Sequence, residues 1–312
     1  MTTSLPPKRI LITGGSGLLA LNWACRMRDQ CEVYLARHTH DIRLRDTRVV
    51  PLELESIDSL LRRLEECRPE WVVHTAGITS VDQCEREPAL ARAANAVLAR
   101  NVAEATARLG LRLIHISTDH LFAGARSMYR EDDVPEPLNE YARTKLLAEQ
   151  WVVQAHPEAL VIRTNFFGWG HAARRSFSDW IYYGLRAGEA LTLFDDVFIT
   201  PILADRLVAA AHRLLELGAS GVFNVVGDER LSKHEFAARL AHAFQLPEAL
   251  VQHGNIRNAR LLAKRPLDMS LSNAKARQRL GASLGNAAEF LLELRQQDQN
   301  GRRDELLAAI AE

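Results

Sequence analysis

Short apolar runs alternate with longer amphipathic stretches through the first half of the chain. The runs, rich in Val, Ile and Leu, predict β-strands at residues 9–13, 32–36, 48–52, 71–75, 112–117 and 160–164. Helical periodicity lies between them, at residues 18–28, 57–67, 88–109 and 138–154. Strands that alternate with helices form parallel βαβ units, so the pattern predicts an α/β fold with a doubly wound parallel sheet.

The rhythm changes after residue 164, where an aromatic and Gly/Arg-rich loop precedes mixed helices and short strands. We expect one large domain at residues 1–165, rejoined by about residues 196–230, in which residues 221–226 add a strand to the sheet. Residues 166–195 and 231–312 are expected to form a smaller C-terminal lobe, with helices at 231–244 and 301–311.

A glycine-rich turn follows the first predicted strand and opens the first predicted helix. Its spacing is Gly14-x-x-Gly17-x-x-Ala20, with Ser16 inside the turn. Glycines let a backbone approach a pyrophosphate closely, and the helix N-terminus presents free N–H groups to it. A plain β–α turn would have the same outline, but the position at the start of a βαβ series favours a Rossmann-type NAD(P)-binding domain.

Arg37 ends the second predicted strand, where enzymes that use NAD typically carry an acidic residue for the ribose 2′-hydroxyl. A guanidinium at this position can bind a 2′-phosphate through two hydrogen bonds. The sequence therefore favours NADP(H) over NAD(H), with a solvated arginine at a strand end as the alternative.

Tyr141 and Lys145 are four residues apart near the start of a predicted helix, which places them on one face. The lysine charge is expected to lower the pKa of the phenol toward the working pH, so that Tyr141 acts as a general acid. Thr118, at the end of an earlier strand, can hydrogen-bond a reacting carbonyl. The alternative is an amphipathic helix start with a solvated lysine, yet this chain has only five lysines among its 39 basic residues.

Composition narrows the classes of partner. Basic and acidic residues balance at 39 each, which argues against nucleic acid and anionic membranes as partners. No N-terminal targeting segment and no run of about 18 apolar residues is present, so we expect a cytoplasmic protein. Four cysteines lack zinc-ligand spacing and are expected to be free thiols, and no metal site is predicted.

Several longer segments resemble the dTDP-4-dehydrorhamnose reductase-like family of the extended short-chain dehydrogenase/reductase superfamily. The resemblance covers most of the chain and is carried by residues 12–17, 68–77, 81–85, 116–122, 141–145 with Glu149, 163–165 and 265–268. The Val-Asp-x-Cys-Glu segment at 81–85 and the Ser-Thr-Asp-x-x-Phe segment at 117–122 are more specific than the glycine turn.

The resemblance implies a role for each matching position. Cofactor-binding residues would be Gly14, Ser16, Gly17, Leu18 and Leu19 at the pyrophosphate, Arg37, Glu53 and Leu54 at the adenosine, and Gly77, Ile78 and Thr79 beyond the fourth strand, with Tyr141 and Lys145. Thr118, Tyr141 and Lys145 would be catalytic. Thr118, Asp119 and Phe166 would contact the sugar, and Arg265 the nucleotide diphosphate unless it is a solvated charge.

The resemblance also implies an activity, which is NADPH-dependent reduction of the keto group of a nucleotide-linked 4-keto-6-deoxy sugar. The alternatives are a nucleotide-sugar epimerase or dehydratase, and a non-catalytic NADP-binding regulatory subunit of the methionine adenosyltransferase type. The chain departs from the family pattern at four places: His120 replaces a tyrosine, Ala142 a glycine and Phe166 a tryptophan, and Glu53-Leu54-Glu55 stands where an aspartate is usual. The sugar, the nucleotide and a homodimeric state are left open.

Overall fold

The computed structural model describes residues 8–310. Its strands are β1 (Lys8–Thr13), β2 (Cys31–Arg37), β3 (Thr47–Pro51), β4 (Trp71–His74), β5 (Arg112–Ile116), β6 (Leu160–Arg163), β7 (Phe166–Phe167), β8 (Leu191–Phe194), β9 (Phe198–Ile199), β10 (Ile202–Leu203), β11 (Gly221–Asn224), β12 (Leu231–Ser232) and β13 (Val251–Gly254). The main sheet has seven strands in the order β11-β6-β5-β4-β1-β2-β3, and every pairing in it is parallel.

Helices cover both faces of this sheet. They are α1 (Leu18–Met27), α2 (Ile57–Cys67), α3 (Val81–Arg86), α4 (Pro88–Arg92), α5 (Leu98–Arg108), α6 (Glu140–Ala155), α7 (Phe177–Arg186), α8 (Ala204–Glu216), α9 (Lys233–Phe244), α10 (Ala274–Leu280), α11 (Ala287–Gln299) and α12 (Arg302–Leu307). The predicted fold class, a doubly wound α/β sheet, is confirmed.

Alternate residues of each central strand enter different cores. Ile10 and Ile12 of β1 face the core that includes residues of α1 and α8, whereas Leu11 faces the core shared with α2, α5 and α6. Both faces of the strand are therefore dry, which explains why the sequence of β1 is continuously apolar rather than alternating. The strand order reverses at β1, and ligands of such sheets bind beyond the carboxyl ends of the strands at this point.

The C-terminal half divides its strands between the main sheet and three small sheets. Strand β11 extends the main sheet beside β6, while β8 pairs with β13, β9 with β12 and β7 with β10. Phe167, Phe236 and Phe290 pack edge to face beneath the small sheets, with ring centroids 4.9 Å and 6.3 Å apart. Because β9 pairs with β12, residues 198–199 contact a strand outside the predicted 196–230 segment; the domain division itself stays a proposal.

The first-half strands and helices lie within two residues of the predicted bounds, with one exception. The helix predicted at 88–109 is interrupted by a π-helical turn at Ala93–Val97. Sequence reasoning also passed over α3, α7, α8, α10 and α11. The helix predicted at 231–244 begins at Lys233 and the one predicted at 301–311 spans Arg302–Leu307, with residue 311 outside the described residues.

All four cysteines are free and buried, as predicted. Among residues 8–310, no helix is long and apolar enough to cross a membrane.

Candidate active site

A cleft of about 1010 Å³ opens at the carboxyl ends of the central strands. Thirteen residues predicted from the sequence line it: Gly14, Ser16, Gly17, Leu18, Leu19, Leu54, Gly77, Ile78, Thr79, Thr118, Asp119, Tyr141 and Phe166. Arg37, Glu53, Lys145 and Arg265 are not among its lining residues. The volume is at the upper end of the range for small-molecule sites, which leaves room for a dinucleotide and a second ligand.

The glycine turn brings the backbone of β1 against its neighbours. Gly14 has a φ of +65°, and a Cβ there would lie 2.8 Å from the Cα of Ala76. A Cβ on Gly15 would lie 2.7 Å from the carbonyl oxygen of Ala36. No side chain caps the N-terminus of α1, so its first N–H groups remain available to an anion. These features fit a dinucleotide pyrophosphate.

The adenosine end of the cleft is lined by side chains that follow β2 and β3. Leu52 and Leu54 supply an apolar wall, and His38 and His40 lie opposite. Arg37 is exposed, and its Nη1 forms an ion pair with Asp41 at 2.6 Å. The structure thus places Arg37 beside the cleft rather than in its wall, while Glu53 is exposed.

The loop after β4 is held by a side chain that sequence reasoning missed. Asn95 lies in the π-helical turn, where its Oδ1 accepts the N–H of Ile78 at 2.7 Å. Its Nδ2 donates to Thr144 Oγ1 in α6 at 3.0 Å. Asn95 therefore joins the Gly77–Ile78 wall of the cleft to the helix that carries Tyr141, and π-helical turns frequently occur at functional sites.

Helix α6 begins with two caps that orient Tyr141. The N–H of Ala142 donates to Asn139 Oδ1 at 2.9 Å, and the N–H of Glu140 donates to Glu85 Oε2 at 3.0 Å. Tyr141 is buried, and burial raises its pKa to about 12, against the opposing effect of the Thr118 hydroxyl. The phenol consequently keeps its proton at neutral pH.

Lys145 is held by a backbone carbonyl oxygen of β5. Its Nζ donates to the carbonyl oxygen of Ile116 at 2.7 Å, and burial lowers the pKa of Lys145 to about 8, opposed by the carboxylate of Glu149. Burial is the largest influence on the pKa of both groups, and the role predicted for Lys145 at Tyr141 stays a prediction. Lys145 lies beneath the cleft, one helical turn from the phenol.

Thr118 and Asp119 follow β5 at the end of the cleft where the resemblance implies a sugar contact, which we name the sugar end. Thr118 Oγ1 accepts the N–H of His120 at 3.3 Å and donates to Asp119 Oδ1 at 3.2 Å. Asp119 also accepts a hydrogen bond from Asn165 Nδ2. Burial raises the pKa of Asp119 to about 6, and the hydrogen bond from Asn165 is the main opposing effect.

His120 lies against Tyr141 with its ring edge-on, at a centroid distance of 5.6 Å. Burial lowers its pKa to about 3, and the charges of Lys233 and Arg265 act in the same direction. Its Nδ1 is buried and has no hydrogen-bond partner among the described residues. A neutral imidazole with an unused nitrogen therefore lines the sugar end of the cleft.

Known proteins resemble this arrangement along nearly the whole chain. The family described as "RmlD substrate binding domain" matches residues 8–298. The chain belongs to the RmlD family. A dTDP-4-dehydrorhamnose reductase of Sinorhizobium fredii is 30% identical over 241 residues, which cover 73% of this chain and 76% of that protein.

Two other curated relatives of this RmlD-family chain carry different names. A probable low-salt glycan biosynthesis reductase of Haloferax volcanii is 27% identical over 279 residues, 87% of this chain and 92% of that protein. The methionine adenosyltransferase 2 subunit beta of Bos taurus is 28% identical over 259 residues, 79% of this chain and 75% of that protein. The relatives of this chain thus include proteins named as reductases and proteins named as subunits.

Solved structures share the fold. A hypothetical dTDP-4-dehydrorhamnose reductase of Sulfolobus tokodaii superposes with a TM-score of 0.78 at 31% identity, covering 89% of this chain and 97% of that one. The dTDP-4-dehydrorhamnose reductase of Bacillus anthracis, in complex with NADP, gives a TM-score of 0.82 at 24% identity, covering 94% of this chain and all of that one. The suspected family is confirmed, and its fold and oxidoreductase type with it.

Arg265 connects two motifs of this RmlD-family chain, residues 265–268 and residues 81–85. Its Nη2 pairs with Asp82 Oδ1 at 2.8 Å, and Nη1 donates to the carbonyl oxygen of Ala263. Asp82 lies in the Val-Asp-x-Cys-Glu segment, whose Glu85 caps α6. The arginine therefore ties the segment before residue 266 to α3. The sequence predicted either a contact to the nucleotide diphosphate or a solvated charge at Arg265.

Other side chains of the cleft were also missed. His171, Arg174 and Arg175 line it from the loop before α7, and Arg174 hydrogen-bonds Thr79. The Gly/Arg-rich composition of this loop was a usable signal for them. Lys233 had no such signal: its Nζ lies 5.5 Å from the ring centre of Phe177, a lining residue, and tertiary packing alone brings it there.

Proposed function

We propose that this chain uses NADPH to reduce the keto group of a nucleotide-linked 4-keto-6-deoxy sugar. The observation that carries the proposal is that one cleft joins the glycine turn to Thr118 and to a buried, protonated Tyr141. A dinucleotide site alone would fit many activities, whereas a proton donor beside a hydroxyl group at the far end fits carbonyl reduction.

The residues of the cleft fit a nicotinamide dinucleotide. The uncapped start of α1 and the glycine turn would hold the pyrophosphate, and the apolar wall of Leu52 and Leu54 would border the adenine. Arg37 could reach a 2′-phosphate by leaving Asp41, since both side chains are exposed. When bound, the reduced cofactor supplies a hydride.

Side chains of this protein would supply the proton that the reduction needs. As the carbonyl group is reduced, Tyr141 would donate its phenolic proton to the carbonyl oxygen, which leaves an alcohol. Thr118 can donate to the same oxygen when Asp119 no longer accepts its hydrogen bond. Lys145, fixed by the carbonyl of Ile116, would bind the nicotinamide ribose and carry positive charge below its pKa of about 8, which favours the phenolate that forms.

The sugar would lie between Thr118 and the loop before α7. Phe166 offers an apolar face there, while Asp119 and the unused Nδ1 of His120 offer hydrogen bonds to hydroxyl groups. His120 replaces the tyrosine usual in the resembling family, so this side chain is the one we expect to shape the choice of sugar.

A direct assay tests the proposal. Purified protein is given NADPH and a panel of dTDP-, CDP-, GDP- and UDP-linked 4-keto-6-deoxy sugars, and loss of NADPH absorbance is followed. At least one sugar should be reduced with multiple turnovers, and accumulating NADP⁺ would separate a reductase from an epimerase or dehydratase that keeps its cofactor. Tyr141→Phe should abolish most of the rate.

Tyr129→Phe is the matched control for that variant. Tyr129 is also a buried tyrosine, stacked on Phe122 with centroids 4.2 Å apart, but it lies outside the cleft lining. Its variant should keep the wild-type rate. If no sugar of the panel is reduced, or if Tyr141→Phe is as active as Tyr129→Phe, the proposed reaction is wrong.

The relatives named methionine adenosyltransferase 2 subunit beta favour a second candidate function, a non-catalytic NADP-binding subunit. On that reading the protein would bind NADP, reduce none of the panel sugars and co-purify with a methionine adenosyltransferase. Affinity purification from the native cell, followed by the panel assay on the same material, separates the two.

A further inference from the structure

Two histidines and one aspartate converge on the surface of the C-terminal lobe, among residues that do not line the cleft. Asp195 directly follows β8, His253 lies in β13 and His234 lies in the first turn of α9. We name these three residues the Asp–His cluster. The parallel pairing of β8 with β13 sets His253 opposite Leu193, two residues before Asp195.

The potential ligand atoms of the Asp–His cluster are close together. One nitrogen or oxygen atom from each residue lies within 4.8 Å of those of the other two. His253 Nδ1 is 3.0 Å from Asp195 Oδ2, and His234 Nδ1 is 3.6 Å from Asp195 Oδ1. The two imidazole rings stack at a centroid distance of 3.8 Å, and an Nδ1 atom of each lies within 4 Å of an Asp195 carboxylate oxygen.

Among residues 8–310, no hydrogen bond of its side chain explains the position of His234. Its Nε2 is buried without a partner among the described residues, and the 3.6 Å from Nδ1 to Asp195 is too long for a hydrogen bond. Two ligands bound at about 2.0 Å to one tetrahedral ion are separated by about 3.3 Å, a distance close to the observed one. The distance from His234 Nδ1 to Asp195 Oδ1 therefore fits two ligands of one ion better than it fits a hydrogen bond.

The backbone around the Asp–His cluster is fixed before any ligand binds. The N–H of Asp195 donates to the carbonyl oxygen of Gly254 at 3.0 Å, which locks the end of β8 to β13. Ser232 and Glu235 form a capping box at the start of α9. Since three separate elements hold the ligands, an ion would need little rearrangement to bind, and it would cross-link all three.

We propose that the Asp–His cluster binds a divalent transition-metal ion of the zinc class, through both Nδ1 atoms and the carboxylate of Asp195. Two imidazoles and one carboxylate suit Zn²⁺, whereas Mg²⁺ and Ca²⁺ require more oxygen ligands than this cluster offers. The side chains of Asp195 and His253 are 49% and 74% exposed, so solvent can enter and water can complete the coordination.

Zinc binding to untagged, chelator-treated protein tests the proposal. Titration calorimetry with ZnCl₂ should show one ion per chain, and Co²⁺ should give the visible absorption of a tetrahedral site. All four cysteines are buried, which removes the usual competing ligands. His253→Ala should raise the dissociation constant for Zn²⁺ by at least about tenfold, as loss of supporting groups at metal sites does.

His242→Ala is the matched control. His242 also lies on α9 and also contacts a carboxylate, that of Glu248 at 2.9 Å, but the contact has no second histidine. Its variant should bind Zn²⁺ as tightly as the wild-type chain, and saturating Zn²⁺ should raise the melting temperature of both but not that of His253→Ala. Absence of a stoichiometric site, or equal weakening by the two variants, would overturn the proposal.

Discussion

The two ends of the cleft differ in how much of their wall is backbone and how much is polar side chain. At the dinucleotide end, backbone forms the wall beside the glycine turn, the uncapped start of α1 and the Gly77–Ile78 loop, and Leu52 and Leu54 add an apolar wall after β3. At the sugar end, the wall is made of buried side chains with shifted pKa values, Asp119, His120 and Tyr141. A backbone wall recognises a group common to all dinucleotides, whereas side chains recognise one substrate.

The comparison of the two ends shows that burial of ionisable groups lowers stability at the end that is proposed to bind the sugar. The glycine turn packs through close contacts between backbone atoms. It buries no ionisable side chain of its own, so it carries no electrostatic cost. The sugar end keeps a carboxyl, a phenol and an imidazole away from water, and each of these groups resists ionisation there. Such groups are expected where they act on a ligand.

The largest expected effect separates the two ends directly. Tyr141→Phe removes the proton donor, so the turnover of the accepted sugar should fall by about 100-fold or more. The dissociation constant for NADPH, measured by fluorescence, should stay within about twofold of the wild-type value, because the pyrophosphate contacts lie elsewhere. A variant that lost NADPH binding together with turnover would contradict the proposed separation of roles.

Gly14→Ala should weaken cofactor binding at the dinucleotide end of the cleft. A Cβ at Gly14 would lie 2.8 Å from the Cα of Ala76, and φ is +65°. The strain should weaken NADPH binding by up to about 100-fold and lower the free energy of unfolding by about 1–3 kcal/mol.

Gly110→Ala is the control for this backbone effect. Gly110 has nearly the same φ, +63°, but a Cβ there meets nothing within 4 Å. It should cost only about 1–2 kcal/mol of unfolding free energy and leave NADPH binding unchanged. Equal loss of NADPH binding in both variants would show that the close approach at Gly14 is not what matters.

Asp119→Asn tests the electrostatic cost of the sugar end. Because burial raises the pKa of Asp119 from 3.8 to about 6, the folded chain binds more protons than the unfolded chain between these values, and stability falls as pH rises through about 6. Asn removes this loss, so the variant should be more stable than wild type by about 2–3 kcal/mol at pH 7 and by much less at pH 4.

Urea denaturation at the two pH values measures this effect. The same variant should lose activity toward the sugar, because the carboxylate no longer accepts hydrogen bonds there. A pH-independent difference in stability would show that Asp119 does not titrate as described.

Arg37→Ala should have the smallest effect, confined to one cofactor. If Arg37 binds the 2′-phosphate, the KM for NADPH should rise about tenfold, the value of one charge-assisted hydrogen bond, while the KM for NADH changes little. Arg43→Ala is the control, since Arg43 is also exposed in the loop after β2 and does not line the cleft. Equal changes for both cofactors would remove the argument for NADP.

Much of the fold could be predicted because its signals are local. The strand–turn–helix unit around Gly14 lies within a dozen residues, and its apolar run, glycines and helix start point to the same structure. The π-helical turn at Ala93–Val97 could not be predicted, because its sequence is helical throughout and only the bonds of Asn95 to Ile78 and Thr144 make the extra residue favourable.

The candidate site could likewise be predicted only in part from the sequence. The predicted residues on the backbone turns line the cleft, whereas the long charged side chains of Arg37, Lys145 and Arg265 do not. Lys145 donates to a carbonyl 29 residues away, and Arg265 pairs with a carboxylate 183 residues away. Each of these side chains has several rotatable bonds, so its direction depends on partners that no sequence motif identifies.

The sequence by itself determined the parallel sheet, the dinucleotide turn and the Tyr141–Lys145 spacing, since each follows from periodicity or from contacts between near neighbours in the chain. Only the tertiary structure decided the protonation of the sugar end, the ion pairs of Arg37 and Arg265, and the convergence of Asp195, His234 and His253. Burial and distant contacts set these properties, and both exist only once the chain has folded.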